Sequence, residues 1–244
     1  MKQKQTSDLW LYGVHPVESA LQNPNRKILE IRFCKQPSFE LPKKVPTHAV
    51  SKEQIESVVG RDAVHQGIIA RVQPLPVYTL DDLIADTRTQ KNTLVVILDQ
   101  VSDPHNIGAI MRSAVAFNAS ALILPDAGAP QESGTLAKSA SGALEVLPLI
   151  RVTNLVRTLE QLKKADFWCV GMDGHADKSI IEQKLPNKCA LIMGSEGDGM
   201  RRLTMENCDY LTKLPMSDKM ESLNVSNACA IALYEWFRLY QTKE

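Results

Sequence analysis

From Leu98 the chain reads LDQVSDPHNIGAIMRSA, and the apolar run Leu94–Leu98 leads directly into it. An uninterrupted apolar run of this length suits a strand covered on both faces. The polar turn that follows contains Pro104, which confines Asp103 to extended geometry. Asn106 is then placed to cap a helix over 106–117, whose stripe Ile107, Ile110, Met111 and Ala114 has helical spacing. Strand, polar corner, helix: the pattern recurs in LIMGSEGDGMRR from Leu191 and in LPMSDKMESLNVSNACAIALYE from Leu214. Corners of this kind set backbone amides and polar side chains at strand ends, where α/β proteins bind ligands. Three of them predict a pocket built mainly from backbone and neutral polar groups, which suits a bound cofactor better than a metal or a covalent nucleophile.

Further short apolar runs at Ala121–Leu124, Trp168–Met172 and Ala190–Met193 alternate with helical periodicity at 155–163 and 224–240. The fold class is therefore α/β, a mostly parallel sheet with helices on both sides. Upstream, Ile28–Phe33 alternates like a half-buried strand, Ser51-Lys52-Glu53-Gln54 is a capping-box pattern for a helix that stops at Gly60, and His65–Val72 reads as a strand. Pro74-Leu75-Pro76 then reads as an extended linker, and Thr79-Leu80-Asp81-Asp82 opens a short helix. The expected division is 1–73 as a small α/β domain, 74–92 as linker and short helix, and 93–244 as the larger domain.

The 244 residues are 44% hydrophobic, with no apolar run of membrane-spanning length and no secretion signal behind Met1-Lys2-Gln3-Lys4. Cys34, Cys169, Cys189, Cys208 and Cys229 have no C-x-x-C spacing, and the five histidines are dispersed. Zinc and a disulfide framework are not expected; reduced thiols and a cytoplasmic location are. The 28 basic and 28 acidic residues cancel, which argues against indiscriminate polyanion binding. One local patch stands out: Arg26, Lys27, Arg32, Lys35, Lys43 and Lys44 against Glu30 and Glu40. It is either a solvated face or a set of phosphate contacts.

At the corners, Arg112 is the only formally charged residue between Asp103 and Asp126, and Glu196 is its candidate partner. Gly194 and Gly197 bracket Ser195-Glu196, either to admit a ligand to the backbone or to satisfy a tight turn. Arg201 and Arg202 follow, available to phosphate or to solvent. Leu214-Pro215-Met216 ends a strand, Ser222-Leu223-Asn224 caps the last helix, and Leu214, Met216 and Leu223 offer apolar walls for a flat ring.

Taken in order, D-P-x-N-x-G-x-I-x-R, G-S-E-G and S-L-N-V-S resemble the SpoU family of RNA ribose 2′-O-methyltransferases, within the SPOUT superfamily. Leu11-Tyr12-Gly13-Val14-His15-Pro16-Val17-Glu18 and His65-Gln66-Gly67-Ile68 resemble the substrate-binding domain of its bacterial 23S rRNA guanosine members. The resemblance implies a C-terminal trefoil knot, a first domain like ribosomal protein L30e, a homodimer and an RNA partner, with neither DNA nor membrane. It implies S-adenosylmethionine held near Gly194, Leu214, Met216 and Leu223, beside a reacting site of Asn106, Arg112, Glu196, Ser222 and Asn224. Ser217-Asp218-Lys219-Met220 departs from the Gly- and Ala-rich loop usual in the family. A guanosine of 23S rRNA is the expected substrate; tRNA, or a non-catalytic assembly factor of the same fold, are the alternatives. Small residues Ala228, Ala230 and Ala232 suit close helix packing in a dimer as well as an ordinary core.

Overall fold

The computed structural model describes residues 8–241. In chain order the elements are β1 (Leu9–Tyr12), α1 (Val14–Gln22), β2 (Ile28–Phe33), β3 (Thr47–Ala49), α2 (Lys52–Val59), β4 (Ile68–Val72), α3 (Leu80–Thr87), β5 (Thr93–Leu98), α4 (Pro104–Ala116) and β6 (Ala121–Pro125). They continue with α5 (Gly134–Ala140), β7 (Leu149–Val152), α6 (Leu155–Lys164), β8 (Trp168–Met172), α7 (Ile180–Gln183), β9 (Lys188–Met193), α8 (Arg202–Glu206), β10 (Tyr210–Thr212) and α9 (Val225–Tyr240). The chain forms two compact units. One comprises the residues through Val77 together with Pro130–Val146; the other comprises Tyr78–Ala129 and Leu147 onward.

The first unit is a four-stranded mixed sheet in the order β1-β4-β2-β3. Leu11, Ile31, Ala70 and Val72 are buried in its core with Val17 and Ala20 of α1 and Ile55 of α2. The expected strand from His65 begins only at Ile68, because Gln66 and Gly67 have positive φ and the His65 ring Nδ1 accepts from the Gly67 amide at 3.0 Å. That makes a turn where periodicity suggested strand. The capping box of α2 forms as read: the Ser51 hydroxyl accepts from the Gln54 amide at 3.3 Å, and Gln54 Oε1 accepts from the Ser51 amide at 2.8 Å. With only Ile55 buried, α2 leans on that cap. Ser51→Ala is expected to cost about 1 kcal/mol and to raise amide exchange across Lys52–Val59 roughly fivefold.

Pro130–Val146 joins this unit through a buried charge cluster. The Arg26 guanidinium, wholly buried, lies 2.6 Å from Glu132 and 2.8 Å from Glu145, and it donates to the Gln73 carbonyl at 2.9 Å. Arg26 is thus unavailable to a nucleic-acid phosphate, and Arg32 is ion-paired with Glu30 at 2.6 Å and stacked on Trp10. The basic patch read from the sequence loses both. Arg32 pairs along its own strand β2, and Arg26 with acids more than a hundred residues away.

The second unit is a six-stranded sheet, parallel throughout, in the order β10-β8-β9-β5-β6-β7. All six residues of β5 are buried, as its apolar run predicts. Val95, Ile97, Ala121, Ile123, Ala190 and Ile192 pack with Leu155, Leu159 and Leu162 of α6 in one core cluster. Leu94, Val96 and Leu98 alternate to the opposite face. There α4 packs against α9, whose Cys229, Ala232, Leu233 and Trp236 are buried. Strand order reverses direction at β5: β6 and β7 extend one way, and β9, β8 and β10 the other. A doubly wound sheet opens a crevice at the carboxyl ends of its strands at such a point.

Candidate functional site

To the β9 side of that point lies a cavity of about 400 Å³. Its walls come from the segments that leave the carboxyl ends of three neighbouring strands: Met172–His175 after β8, Met193–Met200 after β9, and Lys213, Leu214 and Met216 after β10. Glu221, Ser222 and Leu223, with Val225 and Ala228 of α9, complete the lining. The volume falls in the range of small-molecule sites. Methionines 172, 193, 200, 205 and 216 contribute much of the apolar wall, and thioether side chains adapt well to a flat ring.

The loop after β9 is tightly determined. Ser195 and Gly199 exchange amide-to-carbonyl hydrogen bonds at 3.1 Å in each direction, and Gly199 takes φ +64. A Cβ at Gly194 would collide with the Gly199 and Met200 backbone, so that glycine answers to the turn. Gly174 and Gly197 differ: both line the cavity, and a Cβ on either meets no protein atom within 4 Å.

The apex of this loop is a hub. Glu196 Oε1 accepts from Asn224 Nδ2 at 2.5 Å, from the Val225 amide at 3.3 Å and from Asn106 Nδ2 at 3.4 Å. Asn224 Nδ2 also donates to Asn106 Oδ1 at 3.0 Å. All three corners read from the sequence meet on one carboxylate. A negative charge beside the first amide of the sixteen-residue α9 is also favoured by the helix dipole.

Other expectations need correction. Asp103, not Asn106, caps α4: its carboxylate accepts from the His105 amide at 2.9 Å, and Pro104 occupies the first helical position, where no amide is needed. Asn106 is therefore inside the first turn, with its side chain free for the hub. Arg112 does not pair with Glu196. Six residues along α4 from Asn106 is about 9 Å of rise and about a third of a turn off in direction. Arg112 is exposed, outside the cavity lining, and without an ion pair among the described residues. Strand β10 ends at Thr212, so Leu214 and Met216 line the cavity from the loop beyond it. Ser222 and Leu223 are there too, and Asn224 caps α9 as read, accepting from the Ser226 amide at 3.0 Å. Arg201 and Arg202 are occupied: Arg201 Nε lies 2.8 Å from the fully buried Asp99, and Arg202 pairs with Glu206.

One wall went unread. Met172-Asp173-Gly174-His175 forms a fourth corner, where Asp173 Oδ1 accepts from the His175 amide at 2.9 Å. An Asp-Gly pair directly after the apolar run Trp168–Met172 was the available signal.

Comparison with known proteins bears on this arrangement. Residues 93–234 match the SpoU rRNA Methylase family, and residues 10–78 match the RNA 2′-O ribose methyltransferase substrate binding family. The chain is 40% identical over 245 residues to the 23S rRNA (guanosine-2′-O-)-methyltransferase RlmB of Pseudomonas putida, covering 96% of this chain and 97% of that one. The Escherichia coli enzyme of the same name is also 40% identical, over 93% of this chain and 97% of its own length. Among solved structures, the SpoU methyltransferase AviRb from Streptomyces viridochromogenes in complex with AdoMet superposes with a TM-score of 0.80. It is 24% identical, over 95% of this chain and 90% of that one. An AdoMet-bound rRNA methyltransferase from Sinorhizobium meliloti gives 0.78 at 21% identity, over 96% and 88%. At these identities the two structures bear on the fold.

Proposed function

The chain belongs to the SpoU rRNA methylase family, and on that footing we propose that it methylates the ribose 2′-hydroxyl of a guanosine in 23S rRNA, using S-adenosylmethionine. The observation that carries this reading is the Asn106–Glu196–Asn224 hub at the cavity, because it joins three separate motifs on one carboxylate. The cavity suits the cofactor. Leu214, Met216 and Leu223 supply apolar walls, the backbone near Gly194 supplies polar partners, and Gly174 and Gly197 leave room that a side chain would fill. When bound there, S-adenosylmethionine supplies an electrophilic methyl group on a sulfonium centre.

The residues of the chain then have separable tasks. The hub fixes Glu196 and Asn224, while Ser222 presents a hydroxyl at the cavity wall; holding the ribose oxygen in line is where much of the rate arises. Arg112 acts as a fixed positive charge beside the ribose oxygen as its proton passes to solvent water. Deprotonating a guanidinium near neutral pH costs about 7 kcal/mol, so charge stabilisation is the cheaper role.

Arg112 lies outside the cavity lining of its own chain, and a homodimer supplies it from a second copy. The exposed Ile231 and Tyr234 of α9, with Phe117 edge-on to Tyr234 at the end of α4, are an apolar surface on the helix pair that also carries Arg112. The family's trefoil knot accords with Val225 and Ala228 sharing a cavity with the turns after β8, β9 and β10. The expected boundaries at 73 and 92 give way to the two units: the one through Val77, with Pro130–Val146 joined to it, is assigned to RNA recognition as an L30e-like domain, and the one of Tyr78–Ala129 and Leu147 onward to the reaction, in the cytoplasm.

The deciding experiment supplies labelled S-adenosylmethionine with 23S rRNA and tRNA from cells lacking the protein, and maps 2′-O-methylated positions. Label at one guanosine of 23S rRNA is expected. Label confined to tRNA overturns the substrate, and cofactor binding with no label in either overturns the reaction.

A further inference from the structure

We infer that Gln100 is a positioning residue for cofactor binding, acting through the Ser195–Gly199 loop; the inference rests on the cavity being an S-adenosylmethionine site. The Asp99 amide closes the ladder between β5 and β9 by donating to the Met193 carbonyl at 2.8 Å. Directly beyond it Gln100 adopts φ +63, a conformation that costs a glutamine energy because its Cβ crowds the carbonyl. Asn or Asp eases that conformation with a short polar side chain, and Gly removes the crowding. Gln100 does neither.

Instead its side chain reaches across to the neighbouring corner, where Nε2 donates to the Gly199 carbonyl at 3.1 Å. That same carbonyl accepts from the Ser195 amide, so Gln100 braces the bond that closes the loop. Its neighbour holds the same end two residues on: the Asp99 carboxylate accepts from the Arg201 amide at 2.9 Å and from Arg201 Nε at 2.8 Å. Two consecutive residues at the end of β5 thus fix the loop on its far side. Directly before those ties stand Ser195, Glu196, Gly197 and Asp198, all lining the cavity, and Glu196 is the hub on which Asn106 and Asn224 depend. Gln100 itself is exposed and outside the lining. Backbone strain is being exchanged for loop geometry, a pattern associated with functional sites.

The strain makes a test possible in which stability and affinity separate. In the full-length protein, Gln100→Gly relieves the backbone and removes the brace, while Gln100→Glu keeps the length and sets a carboxylate oxygen against the Gly199 carbonyl. S-adenosylmethionine binding is measured by calorimetry, with thermal melting alongside. Gln100→Gly is expected to melt at or above the wild-type temperature and yet bind about tenfold more weakly, the scale of one lost hydrogen bond. Gln100→Glu is expected to weaken binding at least as much. In turnover, KM for S-adenosylmethionine rises by more than kcat at saturation falls. Unchanged affinity in both variants overturns the inference, as does a melting temperature that falls in step with affinity in Gln100→Gly, since that describes a merely structural residue. Wild-type protein that binds no S-adenosylmethionine overturns the cofactor reading along with it.

Discussion

Arg112→Ala is expected to lower methyl transfer by about a hundred- to a thousandfold while S-adenosylmethionine binds as tightly as before. The size follows from the task. A fixed donor or cation aimed at a developing oxyanion is worth about 3–4 kcal/mol when removed. The separation of rate from affinity follows from position, since Arg112 does not line the cavity and makes no contact with the hub. Single-turnover kinetics with calorimetric titration measure the two directly. A parallel loss of affinity would place Arg112 in the cofactor site, contrary to its exposure on α4. Arg112→Lys is expected to recover part of the rate, because a point charge is retained while the planar fork is lost. Mixing Arg112→Ala with Asn224→Ala protein extends the test. If each reacting centre takes its cation from the other copy, a mixed dimer has one centre carrying both defects and one carrying neither. Activity should then reappear on mixing, and its continued absence would put Arg112 and the hub to work within one chain.

What could be read from residues alone, and what could not, divides along a physical line. The strands β5, β6, β8 and β9 are apolar runs buried on both faces, and such runs are legible because no solvent face interrupts them. Two motifs of the hub are legible for a related reason, since they directly follow the runs of β5 and β9, while Ser222-Leu223-Asn224 is legible as a cap before the periodicity of α9. The edge strands β7 and β10 are short and only partly buried, and their sequences carry no comparable signal. Asn106 does not cap α4 because Asp103, three residues earlier, competes for the same position. Pro104 must stand where an amide is dispensable, which moves the cap back to Asp103. Arg112 was given the wrong partner because charge scarcity along a sequence says nothing of direction around a helix. Tertiary pairing defeated the basic patch in the same manner. Nothing near Arg26 in the sequence announces Glu132 and Glu145, because the segment that carries them returns only after β5, α4 and β6 of the second unit have intervened.

That cluster sets the second large expectation: Arg26→Ala should destabilise the first unit by about 3–5 kcal/mol. Arg26 Nε and Nη2 hold both oxygens of Glu145 at 2.8–3.1 Å, Nη1 contacts Glu132, and the guanidinium has no exposed side-chain surface. Removing it leaves the Glu145 carboxylate, only 3% exposed, with Asn23 Nδ2 as its remaining side-chain donor at 2.8 Å. Glu132 retains 19% exposure, though its Oε1 facing Arg26 is buried without another partner, so it shares the cost with the more deeply buried Glu145. The chain has two compact units, so a single melting temperature would mix them. Amide exchange in Gly134–Glu145 and in β1 reports the first unit separately, and protection there should fall by a factor of several hundred. Arg26→Lys should fall between, because a point charge cannot hold both oxygens of Glu145 and the Gln73 carbonyl together. The pair Arg26→Met with Glu145→Leu is the sharper control. It removes both buried charges, and burying apolar groups in their place is often neutral or stabilising. Recovery of most of the protection would identify a stranded carboxylate as the cause. Failure to recover would assign the loss to the packing of the Arg26 stem and the Gln73 contact. If instead Arg26→Ala left protection intact and weakened only RNA binding, the guanidinium would be a phosphate contact after all, and the buried cluster would have no part in holding Pro130–Val146 on the first sheet.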